Sequence, residues 1–151
     1  MNIPLIEFRQ ATPADLDDII RIFKAVITEQ LLPLADPLPD HYTDEGERFD
    51  FFYDLVNRTT LMIVDENTIG FGIIKEGLLK FLMIELEQQK NAYGAFFMEE
   101  LEKQLQRNEG LELHVRCPLE LEYGLSFFKN LGYQIYENQE EGAIHWVHLK
   151  K

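Results

Sequence analysis

The sequence predicts an α/β (α+β) domain, with a mixed, mostly antiparallel central sheet of about seven strands flanked by about four helices. Three observations lead there. Short β-branched and aromatic runs at residues 60–64, 69–74 and 78–84 are separated by turns of four and three residues, short enough for antiparallel hairpins. Longer segments repeat apolar residues at helical spacing. A length of 151 residues suits one domain, 1–151, with a sizeable core, and neither repeat nor linker interrupts it.

The elements follow in order. Residues 5–9 read as a strand. Thr12 then caps a helix with Pro13 in its first turn and Asp15 completing a capping box, and Ile19, Ile20, Ile22, Phe23 and Val26 form its apolar face. Residues 31–40, with Pro33, Pro37 and Pro39, form a loop. Thr43 is the expected cap of a second helix running to about Asn57, with Phe49, Phe52, Tyr53 and Val56 at helical spacing. After the three hairpin strands comes a helix at 96–106, closed by Gly110, and then a strand at 111–115. Residues 118–130 read as the last helix, stopped by Gly132. Strands at 133–136 and 143–149 close the chain around a turn at 138–142.

Composition narrows the function classes. A formal net charge of −13 argues against nucleic acid as the main partner, since phosphate binding needs clustered cations; it suits amine substrates through steering, or simple solubility. No apolar run reaches membrane-spanning length and residues 1–4 do not begin a secretory signal, so no membrane partner is expected. The single cysteine, Cys117, excludes an internal disulfide framework and any zinc site built on several thiolates. A reducing cytoplasm is the expected setting, and a homodimer is compatible with the sequence.

One stretch carries chemistry. Gln89-Lys90-Asn91-Ala92-Tyr93-Gly94-Ala95 lies between a hydrophobic strand and an apolar-periodic helix. The first N–H groups of a helix lack internal partners, and the helix dipole favours anions at that end. Small residues let the backbone approach a phosphate closely. The stretch resembles the pyrophosphate-binding turn of the GNAT superfamily of acyl-CoA-dependent N-acetyltransferases, Gln/Arg-x-x-Gly-x-Gly/Ala. Gln89 and Gly94 match, and Ala92 replaces the first glycine.

The resemblance extends along the chain in order. Arg9, Ala11, Pro13, Asp15 and Leu16 are similar to the family's N-terminal opening, and residues 111–116 to its fifth strand. Residues 126–133 resemble the end of its fourth helix. The resemblance implies a GNAT fold and transfer of acetyl from acetyl-CoA, as cosubstrate, to the primary amine of a small molecule or peptide. It implies that pantetheine lies along Leu82, Met83 and Ile84, and the pyrophosphate on the amides of residues 90–95.

For the proton, the family offers His114, at the fifth-strand position where some relatives carry a base. Strand alternation puts it on one face with Glu112 and Arg116, either as base or as a half-buried histidine paired with a neighbour. Glu85 is the second candidate, or a solvated charge. Phe128 occupies the position where the family often places a tyrosine near the thioester sulfur. It can pack but cannot donate a proton; Tyr123 is a substitute, or a surface residue. Cys117 reads as a carrier of acyl groups or as an apolar filler. Because the first two helices and their loop frame the family's acceptor pocket, the resemblance makes Asp40, His41 and Tyr42 candidates for it, or else a simple solvated loop. His145 and His148 fall on opposite strand faces, so no metal site is expected there. The rival function is a noncatalytic acyl-CoA-binding or protein-interaction domain that retains the GNAT fold.

Overall fold

A computed structural model describes residues 3–34, 38–89, 91–141 and 143–151. Its centre is a seven-stranded sheet in the order β1-β2-β3-β4-β5-β7-β6. The strands are β1 (Ile6–Gln10), β2 (Thr59–Val64), β3 (Asn67–Lys75), β4 (Leu78–Ile84), β5 (His114–Pro118), β6 (Gln134–Glu141) and β7 (Ile144–Lys150). All neighbours are antiparallel except β4 and β5, which run parallel.

The first helix begins as the capping box predicts. Thr12 and Asp15 bond each other reciprocally around a single 3₁₀ turn, Pro13–Asp15, and α1 (Leu16–Val26) follows. Its apolar stripe, Leu16, Ile19, Ile22, Phe23 and Val26, is buried on one sheet face against Phe71, Ile73, Phe81 and Trp146. Full burial of each such side chain stabilises by roughly 1.5–3 kcal/mol. Beyond α1 the chain continues as a π-helix, Ile27–Leu31, so Leu31 belongs to a helix and not to the expected loop. Part of that loop, residues 35–37 including Pro37, lies outside the described residues.

The helix expected from Thr43 to about Asn57 ends at Asp54, before a 3₁₀ turn at Val56–Arg58, and a short helix that begins in the expected loop precedes it. A four-residue helix, α2 (Asp40–Thr43), stops at Asp44, whose extended backbone and side chain cap α3 (Glu45–Asp54) by accepting from the Glu47 N–H. Aspartate outcompetes the threonine before it because its carboxylate also complements the helix dipole. Phe52 is buried and Phe51 partly so, whereas Phe49 and Tyr53 are exposed and stack on each other.

The opposite sheet face carries α4 (Tyr93–Glu109) and α5 (Glu122–Asn130), which cover Met62, Leu79, Val115, Val147 and Leu149. Gly110, at φ 66°, closes α4 in the left-handed conformation that favours glycine. Helix α4 starts and ends three residues beyond the expected 96–106, and three further boundaries shift for identifiable reasons. β5 begins at His114 rather than at residue 111, because the chain first leaves the αL cap and the His114 N–H then bonds to the Gly77 carbonyl. Pro118 ends β5 instead of opening α5, and the Leu119 N–H bonds to the His145 carbonyl. β6 runs on to Glu141 through residues expected to turn: pairing with β7 overrides the weak strand propensity of Asn138 to Glu140.

Two irregularities in the sheet shape the site. β4 carries one extra residue, Lys80, between the pairs Ile73↔Phe81 and Ile74↔Leu79. A bulge of this kind bends its strand and increases the local twist. β4 accordingly meets β5 only at Leu78↔His114 and Leu79↔Val115, and from Lys80 onward the two strands diverge.

Candidate active site

The divergence of β4 and β5 opens a cavity of about 350 Å³, within the range of small-molecule sites. One wall is the β4 segment from Leu79 to Ile84, and the other is Arg116, Cys117 and Pro118 of β5. Without β5 as a partner, the edge of β4 facing the gap is available to pair with an extended ligand, as an added strand would. Of the residues assigned to the pantetheine by sequence, Leu82, Met83 and Ile84 all line this wall.

The turn from β4 to α4 closes one end. Gln89, Asn91, Ala92, Gly94 and Ala95 line the cavity; Tyr93 lines a separate polar groove, and Lys90 lies outside the described residues. Among the described residues no side chain caps the N-terminus of α4. Its first intrahelical bond is from the Phe96 N–H to the Ala92 carbonyl, so the amides of Tyr93, Gly94 and Ala95 have no acceptor within the helix. Ala92 has φ −79°, a conformation open to any residue, so alanine in place of the family's glycine is unstrained. A Cβ on Gly94 would stand 3.0 Å from the Phe127 ring, which gives this glycine a packing role between α4 and α5.

Gln89 anchors the turn. Its side-chain N–H₂ donates to the Ile84 carbonyl at 2.9 Å, and its Oε1 accepts from Gln30 at 2.7 Å. Its backbone carbonyl accepts from the Tyr123 hydroxyl at 3.2 Å, which ties α5 to the turn. Tyr123 and Phe128 both line the cavity; Phe128 is buried against Phe127 and Tyr133.

The two proton-acceptor candidates lie elsewhere. Glu85 turns away from the cavity and pairs with Arg21 at 3.1 Å in the polar groove, which takes it out of reach of a ligand between β4 and β5. His114 sits where β4 and β5 are still paired, and does not line the cavity. It shares the strand face of Arg116, two residues on, which does line it. Its Nδ1 is 2.7 Å from the Tyr136 hydroxyl, and Tyr136 reaches it from the bulged residue of β6, between Ile135 and Glu137.

Tyr42 lines the cavity, but Asp40 and His41 do not; His41 stacks on Phe51 instead. Burial pushes the Cys117 thiol up to about 12, so it carries no thiolate near neutrality. His145 faces away from Trp146 and bonds Glu120 and Glu140, both of which raise its pKa. Among the described residues no three His, Cys, Asp or Glu side chains group as metal ligands, and no helix is long and apolar enough to cross a membrane. Sequence reasoning missed Gln30, Arg116 and Trp146 as parts of this site; no local motif marks any of them.

No family model matches the chain, and no curated protein matches it in sequence. Solved structures do. The GCN5-related N-acetyltransferase described as a class-II aminotransferase from Rhodopseudomonas palustris superposes with a TM-score of 0.81 at 16% identity, covering 100% of this chain and 96% of that one. The PaiA N-acetyltransferase of Thermoplasma acidophilum, in complex with coenzyme A, gives 0.76 at 18% identity, with 97% and 99% covered. The apo form of YjaB from Escherichia coli gives 0.76 at 14% identity, with 97% of each chain covered. A splayed β4–β5 pair inside a seven-stranded sheet, matched end to end by these structures, gives this chain the fold of the GCN5-related N-acetyltransferases, GNAT.

Proposed function

We propose that the protein transfers acetyl from acetyl-CoA to a primary amine by direct attack. The observation that carries this is the junction of an unpaired β4 edge with an uncapped α4 N-terminus at one end of the same cavity. A thioester carried on an extended arm ending in a pyrophosphate needs both features together. The arm lies along Leu82 to Ile84, and the pyrophosphate takes the amides of the α4 first turn. Phe128 packs near the thioester.

The free amine attacks the thioester carbonyl, the C–S bond breaks, and coenzyme A leaves as thiolate and takes up the proton that the nitrogen sheds as it becomes the amide. Cys117 does not intervene as an acyl carrier, because its thiol stays protonated. The acceptor's ammonium proton passes through water to His114. His114 bonds the Tyr136 hydroxyl through Nδ1, and in the tautomer that carries its hydrogen on Nδ1 the Nε2 lone pair receives the proton. A cytoplasmic setting fits this chemistry.

A noncatalytic acyl-CoA-binding domain is the second reading, favoured by the phenyl ring of Phe128 where a hydroxyl donor is usual. Calorimetry with coenzyme A, paired with thiol release from acetyl-CoA across amine classes, separates the two. Binding with release supports the enzyme; binding without release supports the second reading; no binding ends both.

A further inference from the structure

We propose that the acetyl acceptor is a primary monoamine on an apolar body, the chemistry of alkyl- and arylalkylamines, held by the wall that the end of α1 and its π-helix build beside β4; this rests on the acetyl-transfer reading above. The cavity draws its lining from both faces of the sheet. On one face stand the α4 first turn and Phe127 and Phe128 of α5, the side assigned to the coenzyme. On the other stand Val26, Ile27 and Leu31, with Phe81 and Met83 of β4 and Trp146 of β7. Strand alternation separates the two sets: Phe81 and Met83 join the α1-side core, whereas Leu82 and Ile84 join the α4-side core. An arm extended along the β4 edge therefore leaves the α1 side of the gap for the second substrate.

Those six side chains all belong to the hydrophobic core, so a ligand against them extends the core and removes apolar surface from water. Ile27 and Leu31 belong to the π-helix, an uncommon form that occurs mostly at functional sites. The cations bordering the cavity, Lys80 and Arg116, are engaged within the protein, Arg116 by stacking on Trp146 and Phe81, so neither calls for a ligand anion. Among the described residues no carboxylate lines the cavity; a second ammonium on the acceptor would lose its water and find no counter-charge among them. A single amine fares differently. The net charge of −13 draws its ammonium form in from solution, and an apolar surround then disfavours the charged form and yields the free base that attacks. The reaction balances as an aminolysis: the N–C bond forms, the C–S bond breaks, and the departing thiolate takes up the proton that the nitrogen sheds.

The test is a homologous series from propylamine to hexylamine, whose members share one basicity and differ only in apolar length. Thiol release from acetyl-CoA is followed at one pH with the coenzyme saturating. Across the series kcat/KM should rise about three- to fourfold for each added CH₂, the factor expected when a methylene leaves water. At equal length, 1,6-diaminohexane should be poorer than hexylamine by about tenfold or more. Leu31→Ala and, more gently, Ile27→Val remove methyl groups from the wall. Each should lower the slope of the series, costing hexylamine more than propylamine, and melting curves show whether the variant is folded.

A flat or falling series, a diamine used as well as hexylamine, or a slope unmoved in a folded Leu31→Ala overturns the proposal and leaves acetyl transfer standing. Thiol release with another amine class and none with the alkylamines overturns it too. Failure to bind coenzyme A, or binding with no release to any amine, removes the transfer reading itself.

Discussion

Gln30 donates its side-chain amide to Oε1 of Gln89 at 2.7 Å, from the π-helical end of α1 to the turn before α4. Gln89 passes the constraint on, donating to the Ile84 carbonyl at the exit of β4. Helix, strand and turn are thereby fixed before a ligand arrives, which lowers the ordering cost of binding. Gln89→Ala removes both side-chain bonds. At about 1 kcal/mol for the net loss, coenzyme A affinity should fall roughly five- to tenfold in calorimetry with the fold intact. An unchanged affinity would show that the turn holds its shape without this side chain.

Gly94 offers a sharper test of the same surface. Its missing Cβ makes room for the Phe127 ring, and its amide belongs to the α4 first turn. Gly94→Asp brings negative charge and bulk to one place. Coenzyme A should raise the melting temperature of the wild type and leave that of the variant unmoved. Gly94→Ala, with the steric demand alone, should keep part of the shift. A full shift in Gly94→Asp would place the pyrophosphate elsewhere.

Phe128 tests how the thiolate leaves. It lines the cavity without a hydroxyl. Thiols are weak enough bases to depart unaided or through water, so Phe128→Tyr should raise kcat by at most about tenfold or leave it unchanged. Single-turnover kinetics would separate this from product release. A large loss would mean that the position demands an apolar ring and does not border the sulfur.

What the sequence made legible was local. The Thr12–Asp15 capping box, the β2–β3–β4 hairpins and the turn at Gln89 are each written within a few consecutive residues, where propensity and spacing act directly. The Gln30–Gln89 bond spans 59 residues and joins two side chains that look like ordinary surface amides, so no pattern announces it. Arg116 and Trp146 read as alternating strand residues, and their stacking arises only when β5 and β7 pair. The Lys80 bulge is equally silent, because the strand on either side of it keeps a continuous apolar run.

The Arg9–Asp15 pair predicts a pH response. The bidentate bond from Arg9 outweighs burial and, with the Thr12 N–H, lowers the Asp15 carboxyl to about 2, below its ordinary 3.8. A folded value below the unfolded one gives stability that is present above about pH 4 and is lost as pH falls toward 2. Asp15→Asn should lower stability at pH 7 by roughly 1–2 kcal/mol through the lost cap and ion pair. Urea unfolding at several pH values should show wild type and variant converging as the acid limb is reached. A constant gap between pH 6 and pH 2 would assign the loss to packing.

His114 carries the last prediction. It stands one strand repeat from Arg116, on the same face, with Tyr136 fixing its Nδ1. It lies beyond the cavity wall, so water must connect it to the acceptor. Removing a base at this remove should cost about 10²-fold in kcat/KM at neutral pH, the low end for general base catalysis. His114→Ala and His114→Gln should fall together, because glutamine keeps a hydrogen-bonding group but takes no proton. Much of the loss should return as pH rises and the acceptor's free amine becomes abundant, with coenzyme A affinity unchanged throughout. Tyr136→Phe should give a smaller loss, since the imidazole remains while the bond that orients its ring is gone. If both His114 variants keep near-wild-type rates at neutral pH, the His114–Tyr136 bond is a brace between β5 and β6, and the acceptor loses its proton to bulk water.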